Sequence, residues 1–172
     1  MALDLIFLEQ SILSKKFQAC FRLYKWDGVF LSIGKNQKNI PSIWKEYSYK
    51  NKLKIVRRPT GGNAVLHDGG ITYLAIWPNK EESKKISYSD QCQWLIKAFE
   101  QLDISLRFGN DSTNNSSSNC FASSSKADLV DSFGNKLIGS AQLRRKNYIL
   151  QHGEILINPQ KKIWLDIFGT SP

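Results

Sequence analysis

The chain has 172 residues, 41% apolar and 23% charged, which is ordinary for one soluble globular domain and fits an enzyme or a binding module alike. No apolar run approaches the ~18 residues of a membrane-crossing helix, and the first residues lack the early positive charge and small-residue cleavage site of a secretory leader. Three cysteines, an odd number without metal-type spacing, fit a reducing cytoplasm better than a disulfide framework. The net charge of +9 draws acidic partners, a nucleic acid or a strongly acidic protein. The basic groups at Lys15-Lys16, Lys84-Lys85, Arg144-Arg145-Lys146 and Lys161-Lys162 come with no nucleic-acid-binding signature.

Residues 2–13 read as an amphipathic helix rich in Leu and Ile. Residues 19–26 and 29–33 look like strands, and Asp27-Gly28 between them is a hairpin signal. Pro41 suits the first turn of a helix that runs to about Lys50. Residues 54–58 and 64–66 are strands on either side of Gly61-Gly62, and residues 71–77 form another strand that ends at Pro78. Residues 87–102 read as a helix capped by Ser89 or Asp90, with Tyr88, Cys92, Leu95, Phe99 and Leu102 on one face. A short strand at 105–108 precedes a Ser- and Asn-rich stretch, 110–125, whose composition predicts a mobile loop. Strands follow at 127–130, 136–142, 148–151 and 154–157, with a turn at Phe133-Gly134-Asn135, and residues 161–168 begin a last helix. With no repeat and no domain boundary, this is a single α+β domain, a mostly antiparallel sheet with helices packed on it.

Two segments carry the chemistry. Arg57-Arg58-Pro59-Thr60-Gly61-Gly62-Asn63 links two apolar strands and leads to His67-Asp68. Glycine has no Cβ, so this backbone can come close to an anionic or carbonyl-bearing ligand. Flanking that turn, Arg57 and Arg58 fix the loop or bind an anion. The second segment is Lys136-Leu137-Ile138-Gly139-Ser140-Ala141-Gln142, followed by Leu150-Gln151-His152-Gly153. His67 and His152 have no clustered third ligand, so a metal is not expected. Cys20 in a strand and Cys92 on an apolar helix face read as core packing. Cys120 is the one cysteine in a polar loop.

These motifs in this order resemble the lipoate–protein ligase and octanoyltransferase superfamily, which shares its fold with biotin–protein ligases. Met1-Ala2-Leu3-Asp4, Tyr24-Lys25-Trp26 and Leu31-Ser32-Ile33-Gly34-Lys35-Asn36-Gln37 are further landmarks, and the resemblance runs from residue 1 to about residue 157. It implies an acyl tunnel lined by Arg57, Arg58, Thr60, Gly61, Gly62 and Asn63, by Gly139, Ser140, Ala141 and Gln142, and by His67, His152 and Gly153. It also implies that Lys136 contacts an acyl carbonyl. Asn119-Cys120-Phe121-Ala122 resembles the Cys-Phe loop of the cysteine-dependent octanoyltransferases, making Cys120 the candidate nucleophile, with the charge of Lys136 favouring its thiolate.

The resemblance thus implies transfer of an octanoyl or lipoyl group to a lysine of a lipoyl-carrier protein. Acidic acyl carrier protein and lipoyl-domain proteins would be the partners, and no cofactor is needed. The alternatives are a lipoate–protein ligase, which would use ATP and Mg, and a non-catalytic acyl- or carrier-binding relative. Three positions depart from the family pattern. Asn63 stands where a third glycine is usual, Glu154 where Ser or Thr is favoured, and the cysteine loop lacks a stiffening proline. Relatives also continue beyond the last helix, where this chain ends at Pro172.

Overall fold

The computed structural model describes residues 1–14, 19–79, 88, 90–109, 120–122 and 128–171. Helix α1 (Ala2–Leu13) buries Asp4, Leu8 and Ser11, a helical spacing that lays one face on the protein. Strand β1 (Cys20–Tyr24) follows, then β2 (Phe30–Ile33), helix α2 (Ser42–Tyr49), β3 (Lys54–Arg57), β4 (Val65–His67) and β5 (Ile71–Pro78). A 3₁₀ turn (Asp90–Cys92) leads into α3 (Gln93–Glu100), and then come β6 (Arg107–Phe108), a second 3₁₀ turn (Cys120–Ala122) and β7 (Leu129–Val130). The chain finishes with β8 (Lys136–Arg145), β9 (Tyr148–Ile155) and α4 (Lys161–Phe168).

The strands form two sheets. One is six-stranded and antiparallel in the order β1-β5-β9-β8-β7-β6; the other is three-stranded, β3-β2-β4. In the small sheet β2 runs parallel to β3 and antiparallel to β4. A parallel pair needs a crossover, and α2 supplies it. Beneath this sheet, Trp44 of α2 is fully buried and its indole N–H donates to the carbonyl of Ile167 in α4 at 2.7 Å. Phe121 stands edge-on against Trp164 of α4, with ring centroids 5.7 Å apart. Side chains alternate along β5, so Leu74 and Ile76 pack with Leu8 of α1, while Tyr73 packs on the opposite face with Cys92 and Leu95. With both faces covered, β5 reads as a continuous apolar run.

The architecture is the expected α+β one, and several local expectations are corrected. Asp27-Gly28 does not close a hairpin. Gly28 takes a left-handed φ of +103°, but β1 joins the large sheet and β2 the small one. The strands around Gly61-Gly62 do not pair with each other either; both flank β2. Tyr148–Ile155 is one strand where two were expected at 148–151 and 154–157, because Gly153 sits inside β9 beside Tyr73, where a Cβ would come within 2.5 Å of the ring. The helix expected over 87–102 is regular only at Gln93–Glu100, and Leu102 is 66% exposed in the turn that follows. Of the expected 110–125 loop only the Cys120–Ala122 turn is described; the rest of it, and Ser87 and Ser89, lie outside the described residues.

Candidate active site

A pocket lies between the two sheets. Its floor is a patch of cross-strand neighbours: Thr72 on β5 pairs with Glu154 on β9, Glu154 with Gly139 on β8, and His152 with Ala141. Ser32, Val65 and His67 face it from the small sheet, and Gly61, Gly62 and Cys120 close one end.

The two arginines divide the work of shaping the loop. Alternation along β3 turns Arg57 outward and Arg58 inward. Arg57 donates to the carbonyls of Gly34, Lys35 and Gln37 at 2.7, 3.2 and 2.8 Å, gathering the 34–37 turn. Arg58 is 4% exposed and donates to Ser32 O at 2.8 Å and to Gly61 O and Asn63 O at 2.7 Å each. Both guanidiniums therefore fix backbone, the first of the two roles considered for them. Gly62 carries the left-handed φ of +90° that the bend requires. Asn63 has no positive φ, so its place in the usual glycine run needs no left-handed backbone. Gly34 lies so close beneath that a Cβ on it would fall 1.9 Å from the carbonyl oxygen of Gly62.

Cys120 is half-buried, and its N–H donates to the carbonyl of Ala64 at 2.9 Å, which places the thiol beside the glycine turn. Lys136 reaches it from β8. Its Nζ donates to the Cys120 carbonyl at 2.8 Å, lies 3.5 Å from Sγ, and pairs with Asp128 at 3.0 Å. The same ammonium sits 5.0 Å from the centroid of the Phe121 ring. The alkyl stem of Lys136 crosses over Gly139, where a Cβ would come 3.0 Å from Cε. A fixed ammonium next to a thiol stabilises negative charge on the sulfur, or on a carbonyl oxygen under attack beside it.

Two buried histidines complete the walls. His152 Nδ1 lies 3.2 Å from Asp4 Oδ2, and Nε2 lies 2.7 Å from Thr60 Oγ1. Burial lowers His152 below the ordinary histidine range, with Asp4 opposing, so the ring is neutral. Burial on its own would raise Asp4, but His152, the N-terminal ammonium and Tyr24 outweigh it and hold the carboxyl below its usual value. With Asp4 ionised, Nδ1 carries the proton and the Thr60 hydroxyl donates to Nε2. His67 Nδ1 lies 2.8 Å from Glu154 Oε2, and its Nε2 lies 2.8 Å from Ser32 Oγ. Glu154 is thus part of the pocket wall.

Whole-chain comparisons give the family. Residues 1–170 match the family described as "Lipoyl protein ligase A/B catalytic domain". The chain belongs to that family. Among similar proteins, octanoyltransferase LipM of Oceanobacillus iheyensis is 34% identical over 152 residues, covering 86% of this chain and 55% of that protein. The Bacillus subtilis octanoyltransferase LipM is 35% identical over 166 residues, covering 90% and 59%. The chain therefore spans somewhat over half the length of these relatives. Two solved structures share the fold. One is a lipoate protein ligase of T. acidophilum with bound lipoic acid (TM-score 0.73, 19% identity, 98% of this chain and 69% of that one). The other is lipoate-protein ligase A bound with ATP (TM-score 0.74, 19% identity, 100% and 68%).

Within this lipoyl protein ligase A/B domain, Gly61, Gly62, Arg58, His67, His152, Gly153, Cys120, Gly139, Ser140 and Ala141 all border the pocket. Lys136 stands behind Cys120, and Thr60 and Asn63 support the loop through His152 and Arg58. Arg57 is held at the surface turn. Gln142 points the other way, with its amide donating to Gln91 and, at 2.7 Å, to Gln151. Sequence reasoning did not single out Asp4, Ser32, Thr72 or Asp128 as site residues. Asp4 carried a usable signal, an acid on the apolar N-terminal helix with a single buried face. Among the described residues no group of three His, Cys, Asp or Glu could hold a metal ion, and no helix is long and apolar enough to cross a membrane.

Proposed function

We propose that this domain is an acyltransferase. It moves an octanoyl or lipoyl group to a lysine of a lipoyl-carrier protein, by way of a thioester on Cys120. The observation that carries the reading is the Lys136 ammonium, 3.5 Å from the Cys120 sulfur and 2.8 Å from the Cys120 carbonyl, at the end of a pocket between two sheets.

In the first half-reaction the Cys120 thiolate attacks the thioester carbonyl of an acyl carrier protein. The new C–S bond forms as the old one breaks, and the carrier's sulfur leaves as a thiolate that takes up a proton. In the second, the neutral amine of an acceptor lysine attacks the Cys120 thioester. The nitrogen loses its proton and the sulfur leaves as thiolate, regenerating the enzyme. Negative charge passes over the carbonyl oxygen in both steps, and Lys136, braced by Asp128, is the cation beside it. The Thr60–His152–Asp4 chain and the Arg58 fork keep the glycine turn in place, which limits the reorganisation each step requires. The net charge of +9 speeds encounter with acidic acyl carrier and lipoyl-domain partners.

The test is incubation with octanoyl–acyl carrier protein followed by intact-mass measurement, with Cys120→Ser alongside. A single octanoyl adduct that vanishes in the variant is expected. Acylation of an acceptor lysine by Cys120→Ser, accompanied by ATP–pyrophosphate exchange with free octanoate, would refute the thioester route.

A further inference from the structure

His67 and Glu154 stand as a partition between two hollows. On one side is the pocket described above. On the other is a second hollow, bordered by Lys25, Trp26, Gly28 and Gly70, and the two side chains of the partition border both. The partition is held from several directions. Glu154 is 2% exposed, and its Oε2 is bonded by His67 Nδ1 and accepts from the Thr72 hydroxyl at 2.5 Å. Thr72 in turn accepts from the Trp26 indole N–H at 2.8 Å. The other nitrogen of His67 is bonded to Ser32, and its ring is stacked on Trp26 with centroids 4.5 Å apart at 28°.

The two carboxylate oxygens are not equivalent. Oε2 is on the side of Thr72, a residue of the first pocket. Oε1 has no hydrogen-bond partner and is turned toward Gly70, on which a Cβ would fall 2.2 Å from it. A chain lying in the first pocket with its end against Glu154 would meet a hydrogen-bonded oxygen and the alkyl stem of that side chain. A chain pushed further would have to displace the braced side chain and press methylenes against a buried, unpartnered carboxylate oxygen.

We infer that Glu154, braced by His67 and Thr72, is the end wall that sets the length of acyl chain this domain accepts. This rests on the pocket being the acyl site. The second hollow is the space that longer chains would occupy if the wall were removed.

The experiment is calorimetric binding of unesterified hexanoate, octanoate, decanoate and dodecanoate to the full chain. It is run on the wild type, Glu154→Ala, Glu154→Thr and Glu154→Gln, each checked for folding by near-ultraviolet circular dichroism. Wild-type affinity should rise to an optimum and fall by dodecanoate. Either shortened variant should raise the dodecanoate-to-octanoate affinity ratio by about tenfold or more, the gain expected from two or three newly buried methylenes. Glu154→Gln keeps the bulk and should keep the wild-type optimum. The inference is overturned if wild-type affinity keeps rising through dodecanoate, or if the folded shortened variants keep the wild-type ratio. If the alanine variant does not fold, the threonine variant and the wild-type profile decide. Fatty-acid binding together with no acylation of Cys120 by octanoyl–acyl carrier protein would sink the transfer reading and leave the wall standing. No binding at any length would end both.

Discussion

Replacing Arg58 by lysine isolates what the buried guanidinium contributes. Its two terminal nitrogens reach in different directions, one to Ser32 O at 2.8 Å on β2, the other to Gly61 O and Asn63 O at 2.7 Å each in the turn. An ammonium keeps the charge but is a single point, so it can serve the strand or the turn and not both. Hydrogen bonds to a charged group are worth roughly 1.5–3 kcal/mol each, and losing one side removes one or two of them. Gly61 is exposed, so water restores part of that loss. The expected destabilisation is about 2–4 kcal/mol, a large share of the roughly 5–15 kcal/mol that holds a domain folded. Arg57→Lys is the control. It makes as many carbonyl contacts, but from an exposed side chain, and should cost about 1 kcal/mol or less. Urea unfolding followed by tryptophan fluorescence and extrapolated linearly to water measures both. Arg58→Lys within about 0.5 kcal/mol of wild type, or Arg57→Lys the more damaging, would refute the assignment of the inner arginine as the loop's anchor.

Lys136→Met should lose about 3–5 kcal/mol of stability, because it breaks a buried ion pair and takes the ammonium away from Asp128, which is 9% exposed. Adding Asp128→Asn should restore most of that loss without restoring octanoylation of Cys120, read by urea unfolding and an intact-mass time course. A double variant that acylates at the wild-type rate would reduce Lys136 to a structural role. Acid should destabilise the fold through His152 before it does so through Asp4. The folded-state value of His152 lies below its ordinary 6.5, so on acidification the unfolded chain gains a proton first and stability falls from about that pH downward. Asp4, also depressed, starts to lose its contribution as the pH falls through its ordinary 3.8 and has lost it below its lowered folded value. His152→Asn should flatten the mildly acidic part of a plot of unfolding free energy against pH; an unchanged slope there would show that another group governs it.

Much of the site was legible because it depends on local chemistry. A double glycine after two arginines marks a bend whatever surrounds it, and Gly62 takes the left-handed backbone that bend needs. Lys136 and Cys120 were paired through the resemblance, and the structure brings them to 3.5 Å. What could not be read was which sheet each strand joins. Asp27-Gly28 is good hairpin chemistry, but β1 finds a longer partner in β5, with five paired positions, and β2 is claimed by β3 and β4. Such choices are settled by non-local pairing, which a turn dipeptide does not encode. The same limit hid Asp4 and Asp128, whose partners His152 and Lys136 are set by register and packing. Gln142 was misjudged by one step of alternation. Its neighbour Ala141 faces the pocket, and Gln142 faces the 3₁₀ turn Asp90–Cys92 on the other side.

The seat of the thiol extends to the far end of the chain. Phe121, next to Cys120, rests edge-on against Trp164, and α4 is itself tied to α2 through the indole of Trp44. The final helix is therefore a keel for the reactive turn. Fraying or cleaving it would tilt the sulfur relative to its ammonium and shift the part of the pocket border that Cys120 supplies, while the walls carried by the sheets stay in place.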